Sequence, residues 1–314
     1  MSKVLVNTKD MSREEWLKYR RMGIGGSDAA AIIGLNPFSS PYTVWADKTG
    51  RLEEKKDSEA MRQGRDLESY VVKRFEEKTE KKAARYNKML QHDTVECALA
   101  NIDRTVLKEK AGLECKTTSS LNMKKFKNGE FPDTYYCQCM HYLAVTGWDK
   151  WYLAVLVLGR DFFVFEIERD EEEIASLLAA ENAFWEQHVK SDVAPAVDGL
   201  ASTNETINKV WHAGDSMDAV ALYQQSAITR RLQLDKQIKE LKKEQDECDQ
   251  IIKDELRENT KGYGAGYEVT WKPQTKRTFD VTALQKECPN FKIDGFYKLS
   301  EFRTLRFKKI KEEV

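Results

Sequence analysis

The chain has 314 residues, of which 41% are hydrophobic and 33% charged, with 13 Phe, 12 Tyr and 7 Trp. That is roughly two domains' worth of chain and enough apolar material for a real core, which excludes wholesale disorder. Lys and Arg number 51 against 52 Asp and Glu, so net charge selects no partner, although segregated charge can still serve a nucleic acid.

No stretch approaches the ~18 consecutive apolar residues of a membrane span, and residues 1–10 carry no apolar signal core, so a cytoplasmic protein without a membrane partner is expected. Cys97, Cys115, Cys137, Cys139, Cys248 and Cys288 form no C-x-x-C pair. They give no support to a zinc or iron–sulfur site or to a secreted disulfide framework, and reduced thiols follow.

In chain order, Ser12 with Glu15 three residues on reads as a capping box for a helix carrying Trp16 and Tyr19. Gly23-Ile24-Gly25-Gly26-Ser27-Asp28 is a flexible turn whose Ser27 or Asp28 can cap a helix over 29–34. Asn36-Pro37 breaks that helix, and Pro41 opens another around Tyr42, Val44, Trp45 and Lys48. Residues 59–79 form a long amphipathic helix, with Met61, Leu67, Val71, Val72 and Phe75 at helical spacing.

From about Val95 the period changes to two. Strands are expected over 95–102, 105–107, 112–117, 151–158 and 162–167, with a Tyr- and Cys-rich helix over 135–145 closed by Gly147, a helix over 171–190 and a linker over 195–203. This is a compact α/β unit over residues 1–200. Residues 201–260 are expected to be a helical extension: Leu234, Ile238, Leu241, Cys248 and Ile252 keep heptad spacing with Gln245 interrupting the seam, which predicts an antiparallel helical pair or a short coiled coil within 217–258. Residues 261–314 alternate again through Tyr267, Val269 and Trp271, then Phe279, Phe302, Leu305 and Phe307. They carry 12 Lys and Arg against 7 Asp and Glu, a net of +5. This small basic β-rich tail suits a nucleic-acid or protein contact, and equally a plain appendage.

The residues that carry chemistry lie on the third of these strands. Glu114 and Lys116 share one face of it, and Leu113 and Cys115 the other. A carboxylate and an ammonium among apolar neighbours are costly to bury without a purpose. Upstream, Asp103 follows the apolar run 98–102. Two strand-borne carboxylates and a lysine suit divalent-metal phosphodiester hydrolysis, in which carboxylates hold Mg²⁺ and the lysine supports the nucleophile or the developing charge. The E-x-K triplet itself occurs six times; the other five lie in charged, helix-like runs, and only Glu114/Lys116 has strand context and an upstream Asp. On pattern alone the segment fits an ordinary surface strand as well as a metal site. His92, His141, His188 and His212 have no ligand spacing, and no Walker or dinucleotide motif appears.

Asp103 with Glu114-Cys115-Lys116 resembles the D…E-x-K core of the restriction-endonuclease-like nuclease superfamily. Trp16-x3-Arg20 followed by Gly23–Asp28, Gly64-Arg65-Asp66-Leu67-Glu68, Ile102-Asp103-Arg104 followed by Leu113–Lys116, and Tyr135–Tyr142 narrow the likeness to the YqaJ-like viral recombinases, relatives of phage lambda exonuclease, over residues 12 to about 190.

The resemblance implies a mixed central sheet flanked by helices and a metal-dependent 5′–3′ exonuclease acting on linear duplex DNA ends, leaving 3′ single strands for recombination by annealing. It implies Asp103, Glu114, Glu68 and the Cys115 carbonyl as ligands of Mg²⁺, with Mn²⁺ as a possible substitute. Lys116 would position or activate the attacking water, Gln138 would orient the water or the lysine, and Arg20 and Ser27 would form a 5′-phosphate pocket. The last assignment agrees with elementary chemistry, since a guanidinium gives a bidentate phosphate contact and a Gly-rich helix start adds N–H donors; a helix cap at Ser27 and a surface salt bridge at Arg20 are the plain alternatives. A RecT-like single-strand annealing protein and a ring-shaped homotrimer are the implied partners. The rival readings are a sequence- or structure-specific endonuclease of the same superfamily and a non-catalytic DNA-end-binding scaffold.

Overall fold

Residues 151–157, WYLAVLV, read as one uninterrupted apolar run, the signature of a strand covered on both sides. In the computed structural model this strand, β7 (Lys150–Val157), sits inside a five-stranded sheet. Residues 2–54, 57–211, 219–276, 278 and 280–288 are described. They divide into two units, Met1–Ala213 and Gly214–Val314.

In chain order the first unit contains β1 (Lys3–Asn7), α1 (Arg13–Arg21), α2 (Gly26–Ile32), α3 (Pro41–Lys48), α4 (Glu59–Thr79), β2 (Ala83–Arg85), β3 (Lys88–Gln91), β4 (Leu99–Asn101), β5 (Arg104–Val106), β6 (Ala111–Thr118), α5 (Asp133–Thr146), β7, β8 (Asp161–Glu168), α6 (Glu171–Phe184) and α7 (Ala201–Val210). The five-stranded sheet has the order β2-β5-β6-β7-β8. Its pairings are antiparallel except at the centre, where β6 and β7 run parallel and α5 makes the crossover between them. The mixed sheet flanked by helices that the resemblance implies is the architecture found.

Each face of the sheet has its own helix. Val71 and Phe75 of α4 pack on Val106, Leu113, Tyr152 and Ala154, while Met140 and Leu143 of α5 pack with Trp151, Leu153, Val155 and Val157. Alternation along β6 therefore points Leu113 and Cys115 at α4, and Gly112, Glu114 and Lys116 at the α5 side. Gly112 is set by this packing: a Cβ there would lie 2.3 Å from the indole ring of Trp151.

A second sheet, β1-β3-β4, stands beside the first. The chain leaves it at Asn101 and enters the five-stranded sheet at Arg104, so Asp103 lies at the join between the two. The Gly-rich turn is hooked to the same strand, because Ile24 N–H donates to the Cys97 carbonyl (2.6 Å) and Leu99 N–H donates to the Ile24 carbonyl (2.8 Å).

Several boundaries differ from the sequence reading, among them the helix expected over 29–34, which runs from Gly26 to Ile32 with Gly25 rather than Ser27 or Asp28 at its N-cap. The expected strand over 95–102 is reduced to Leu99–Asn101 plus a bridge at Ala98. Helix α7, assigned above to the extension, belongs to the first unit, where Thr203 and Thr206 hydrogen-bond Ser40 and Thr43 (2.7 and 2.9 Å) beside the start of α3.

In the second unit, α8 (Gln225–Leu256) is one continuous helix of 32 residues rather than an antiparallel pair. The alternation at Tyr267 and Val269 becomes a hairpin of β9 (Lys261–Gly264) and β10 (Tyr267–Thr270). Ala265 and Gly266 turn it at φ of 49° and 80°, the two positive values a tight hairpin turn requires. A short α9 (Val281–Glu287) follows. Phe279, Phe302, Leu305 and Phe307 lie outside the described residues. Among the described residues no helix is long and apolar enough to cross a membrane.

Candidate active site

Helix α1 begins at the capping box foreseen from Ser12 and Glu15, and its spacing sets Arg20 one turn after Trp16, with the guanidinium 5.4 Å from the indole centroid. Arg20 Nη2 donates to Ser27 Oγ (2.7 Å) and lies 3.6 Å from Asp28 Oδ1. The other Asp28 oxygen accepts from Lys48 Nζ (2.7 Å) and Gly25 N–H (3.0 Å). Burial pushes the Asp28 carboxyl up, but the Lys48 and Arg20 cations outweigh it and bring it down to about 2. Asp28 is thus a permanent anion that fixes two cations at the start of α2, leaving part of Arg20 exposed to the cleft. Gly26 is forced by the packing there, since a Cβ would come within 2.9 Å of the Tyr142 ring and 3.0 Å of the Gln138 side chain.

The carboxylates enter from the sheet. Asp103, at the join, accepts a hydrogen bond from Cys115 N–H (3.3 Å). Glu114 is 3% exposed and its Oε1 accepts from Lys116 Nζ (2.5 Å) and from Gln138 Nε2 (2.8 Å). Lys116 Nζ also donates to Gln138 Oε1 (2.9 Å), and Gln138 Nε2 donates to Tyr142 Oη (2.9 Å). The amide of Gln138 therefore uses its carbonyl on the lysine and its NH₂ on the glutamate and the tyrosine, which fixes its orientation without ambiguity. Gln138 and Tyr142 are one helical turn apart on α5 and face the same way.

Burial drives the Asp103 carboxyl well above the ordinary carboxylate range, and the neighbouring Glu114 charge adds to the effect. For Lys116, burial works against the ammonium, yet Glu114 and Asp103 more than compensate and its pKa is raised. At neutral pH this lysine is a cation and a donor, not a free base. Burial likewise pushes up the Cys115 thiol, whose side chain lies on the α4 side of β6.

One cleft of about 190 Å³ joins the two halves: Arg20 and Ser27 line it on one side, and Asp103, Glu114 and Gln138 on the other. Glu68 comes from α4 and accepts from Arg104 Nη2 (2.6 Å). Its charge reaches Asp103 and helps raise it. The residues singled out from the sequence thus converge, with Glu68 held one residue away through Arg104 and Cys115 offering only its backbone.

The fit to a divalent cation rests on one atom. Glu114 Oε2 is buried with no hydrogen-bond partner, beside a second carboxylate that its own charge destabilises. Such an arrangement is expensive unless a cation occupies the space between. Among the described residues no set of three or more His, Cys, Asp or Glu side chains forms a ready cage. Mg²⁺ asks for no such cage, since one or two carboxylates with waters and substrate phosphates are its usual shell.

Several residues of this site were not singled out in the sequence. Tyr142 stands four residues after Gln138, a spacing that could have identified it. Arg104, although part of the Ile102-Asp103-Arg104 motif, and Lys48 act through Glu68 and Asp28, and Asn101 lines the cleft; none of the three received a role from the sequence. His141, without ligand spacing, is fully buried behind the cleft. Its Nε2 donates to the Leu99 carbonyl (2.8 Å) and its Nδ1 lies 2.7 Å from Glu181 Oε1 on α6. Burial opposes its charged form, but Glu181 prevails and its pKa is raised.

Residues 15–149 match the model of the YqaJ-like viral recombinase domain. The chain is 38% identical over 314 residues to the uncharacterized protein YqaJ of Bacillus subtilis (strain 168), covering 98% of each chain. Among solved structures it is similar to an alkaline exonuclease, LHK-Exo, from Laribacter hongkongensis, with a TM-score of 0.50 at 20% identity over 57% of this chain and 94% of that one. The complex of LHK-Exo with dAMP matches at the same TM-score with 21% identity, again over 57% and 94% of the two chains. At that identity the likeness establishes the fold, while the full-length similarity to YqaJ establishes the lineage. This chain belongs to the YqaJ-like viral recombinase family.

Proposed function

We propose that the chain is a metal-dependent exonuclease that degrades linear duplex DNA from 5′ ends and leaves 3′ single strands for annealing-type recombination. The observation that carries this reading is the cleft lined both by a guanidinium–hydroxyl pair, Arg20 and Ser27, and by Asp103, Glu114 and Gln138, the last two of which hold Lys116. A terminal phosphate seated on Arg20 places the adjacent phosphodiester toward the carboxylates, so an end is recognised before it is cut.

Asp103 and Glu114, with the Cys115 carbonyl and Glu68 adding support, would hold Mg²⁺, for which Mn²⁺ can substitute; the ion supplies charge neutralisation at the scissile phosphate. Lys116 stays protonated and donates to the oxygen that attacks or to the charge that builds on phosphate. Gln138 locks both Lys116 and Glu114 in place, and Tyr142 locks Gln138. Arg20, held by Asp28, binds and orients the 5′ end. The product's 3′ strand suits a single-strand annealing protein of the RecT-like kind as the functional partner.

Incubation with linear duplex and with closed circular plasmid in Mg²⁺ tests the reading. Disappearance of linear DNA alone, abolished by Lys116→Ala, is the expected result. Cutting of the circle would transfer the protein to the endonuclease class, and binding without cleavage would make it an end-binding scaffold.

A further inference from the structure

The cleft of about 190 Å³ is smaller than the roughly 300–1,000 Å³ of pockets that enclose a small organic ligand, too small for a whole nucleotide. Beside it a recess of about 460 Å³ opens between α2, the loop that follows it, the end of β6 and the start of α5. Ser27 and Gln138 line both, so the two are neighbouring compartments.

The recess has aromatic walls that are set in place before any ligand arrives. Leu35 N–H and Asn36 N–H both donate to the Ala30 carbonyl (2.8 and 3.2 Å), which folds the loop back over the end of α2. Asn36 Oδ1 accepts from Phe38 N–H (2.9 Å) across Pro37, whose ring fixes its own φ. Phe38 is thereby held in the lining with 84% of its surface exposed, an aromatic side chain that contributes nothing to the core. Tyr135 supplies a second ring, stacked on Phe126 with centroids 6.4 Å apart and lying 5.3 Å from Lys116 Nζ. Lys125 and Asp133 also line the recess, one of each sign, so it carries no net charge to select a phosphate.

We infer that the recess receives the base of the 5′-terminal nucleotide. The inference rests on the seating of a 5′ end proposed above, with the terminal phosphate at Arg20 and Ser27 and the next phosphodiester toward Glu114 and Lys116, which Gln138 holds. The sugar between those phosphates spans from Ser27 toward Gln138, and its base leaves that line to one side. The two residues that bound the span are the two that the cleft shares with the recess. A flat, neutral base meets Phe38 and Tyr135 there, and such stacking accepts any of the four bases.

A hairpin duplex has one open end, so the nucleotides at that end can be changed alone. Three forms carry a 5′ phosphate: the intact end, one with an abasic tetrahydrofuran residue as the 5′-terminal nucleotide, and one with that residue as the facing 3′ nucleotide, which loosens the end equally. Affinity in EDTA by fluorescence anisotropy and the rate of first cleavage in Mg²⁺ below saturation are measured for the full-length chain, Phe38→Ala and Phe38→Trp; the exposure of Phe38 leaves folding out of the comparison. The unaltered chain is expected to lose about tenfold in both without the 5′ base and nothing without the 3′ base. Phe38→Ala is expected to lose as much on the intact end and nothing more on the 5′-abasic one, and Phe38→Trp to restore the difference. Indifference to the 5′ base, an equal loss from the 3′ base, or a Phe38→Ala loss that adds to that of the missing base would overturn the inference and leave the exonuclease reading standing. A Phe38-dependent preference for the 5′ base in binding, with no cleavage, would keep the recess and remove the exonuclease reading.

Discussion

Asp103 concentrates the tension of the site. Its ionised form is disfavoured by burial and by Glu114, so the folded protein is penalised as pH rises above the ordinary carboxyl value of 3.8 toward the raised one. Asp103→Asn removes that penalty. In EDTA at neutral pH the variant is expected to melt higher than wild type, by roughly 2–4 °C for each ~1 kcal/mol relieved, and to lose the stabilisation that Mg²⁺ or Mn²⁺ gives wild type. Differential scanning calorimetry with and without metal checks this; a lower melting temperature in EDTA, or an undiminished metal shift, contradicts it.

Lys116→Ala removes a charged donor directed at the reaction, and a loss of about 10²–10³ in rate is expected with little change in duplex affinity. Gln138→Ala, which loosens two partners rather than removing one, is expected to lose less in single-turnover cleavage than Lys116→Ala. That Glu114 and Lys116 share a face was legible because strand alternation fixes it. Their reading as a site, and the roles of Asp103, Glu68, Gln138, Arg20 and Ser27, needed the family pattern. Arg104 and Lys48 were illegible because each matters only through a neighbour distant in the chain, Glu68 for one and Asp28 for the other.

Among the elements, those with long, strongly periodic sequences came out close to expectation: α4 matches residue for residue, and β6, β7 and β8 differ by one or two residues at their ends. β1, β2 and β3 were missed because three to five residues are too few for alternation to register; only pairing with distant strands makes them strands. The close approach of Trp151 to Gly112 was equally invisible. Gly112→Ala puts a methyl group into the indole ring and is expected to destabilise by roughly 1–3 kcal/mol, seen as a lower denaturant midpoint with an altered near-ultraviolet Trp signal.

The His141–Glu181 pair ties α5 to α6 and, through Leu99, to the strand that leads to Asp103. The folded imidazole holds its proton above its ordinary 6.5. The pair's contribution is therefore fully present below that value and lost as pH rises through the folded pKa. The melting temperature of wild type is expected to exceed that of His141→Gln most at pH 6 and to approach it as the solution becomes alkaline; a difference that grows with pH would refute the assignment.

At the scale of the whole molecule, the first unit carries every residue of the candidate site, and α7 is part of it. A chain ending after Trp211 is expected to keep cleavage of linear DNA, whereas ending it at residue 200 removes the threonines that hold Ser40 and Thr43 and is expected to lower stability. Of the basic segment 261–314, the residues beyond 288 lie outside the described residues.

The central claim is that end recognition and hydrolysis share one cleft. The ratio of initial cleavage rates on 5′-phosphorylated and 5′-hydroxyl linear duplex, measured in Mg²⁺ for wild type and Arg20→Ala, tests it most directly. A ratio well above one for wild type that collapses toward one in Arg20→Ala is the predicted result. A wild-type ratio of one, or a preference that survives the substitution, would contradict the account.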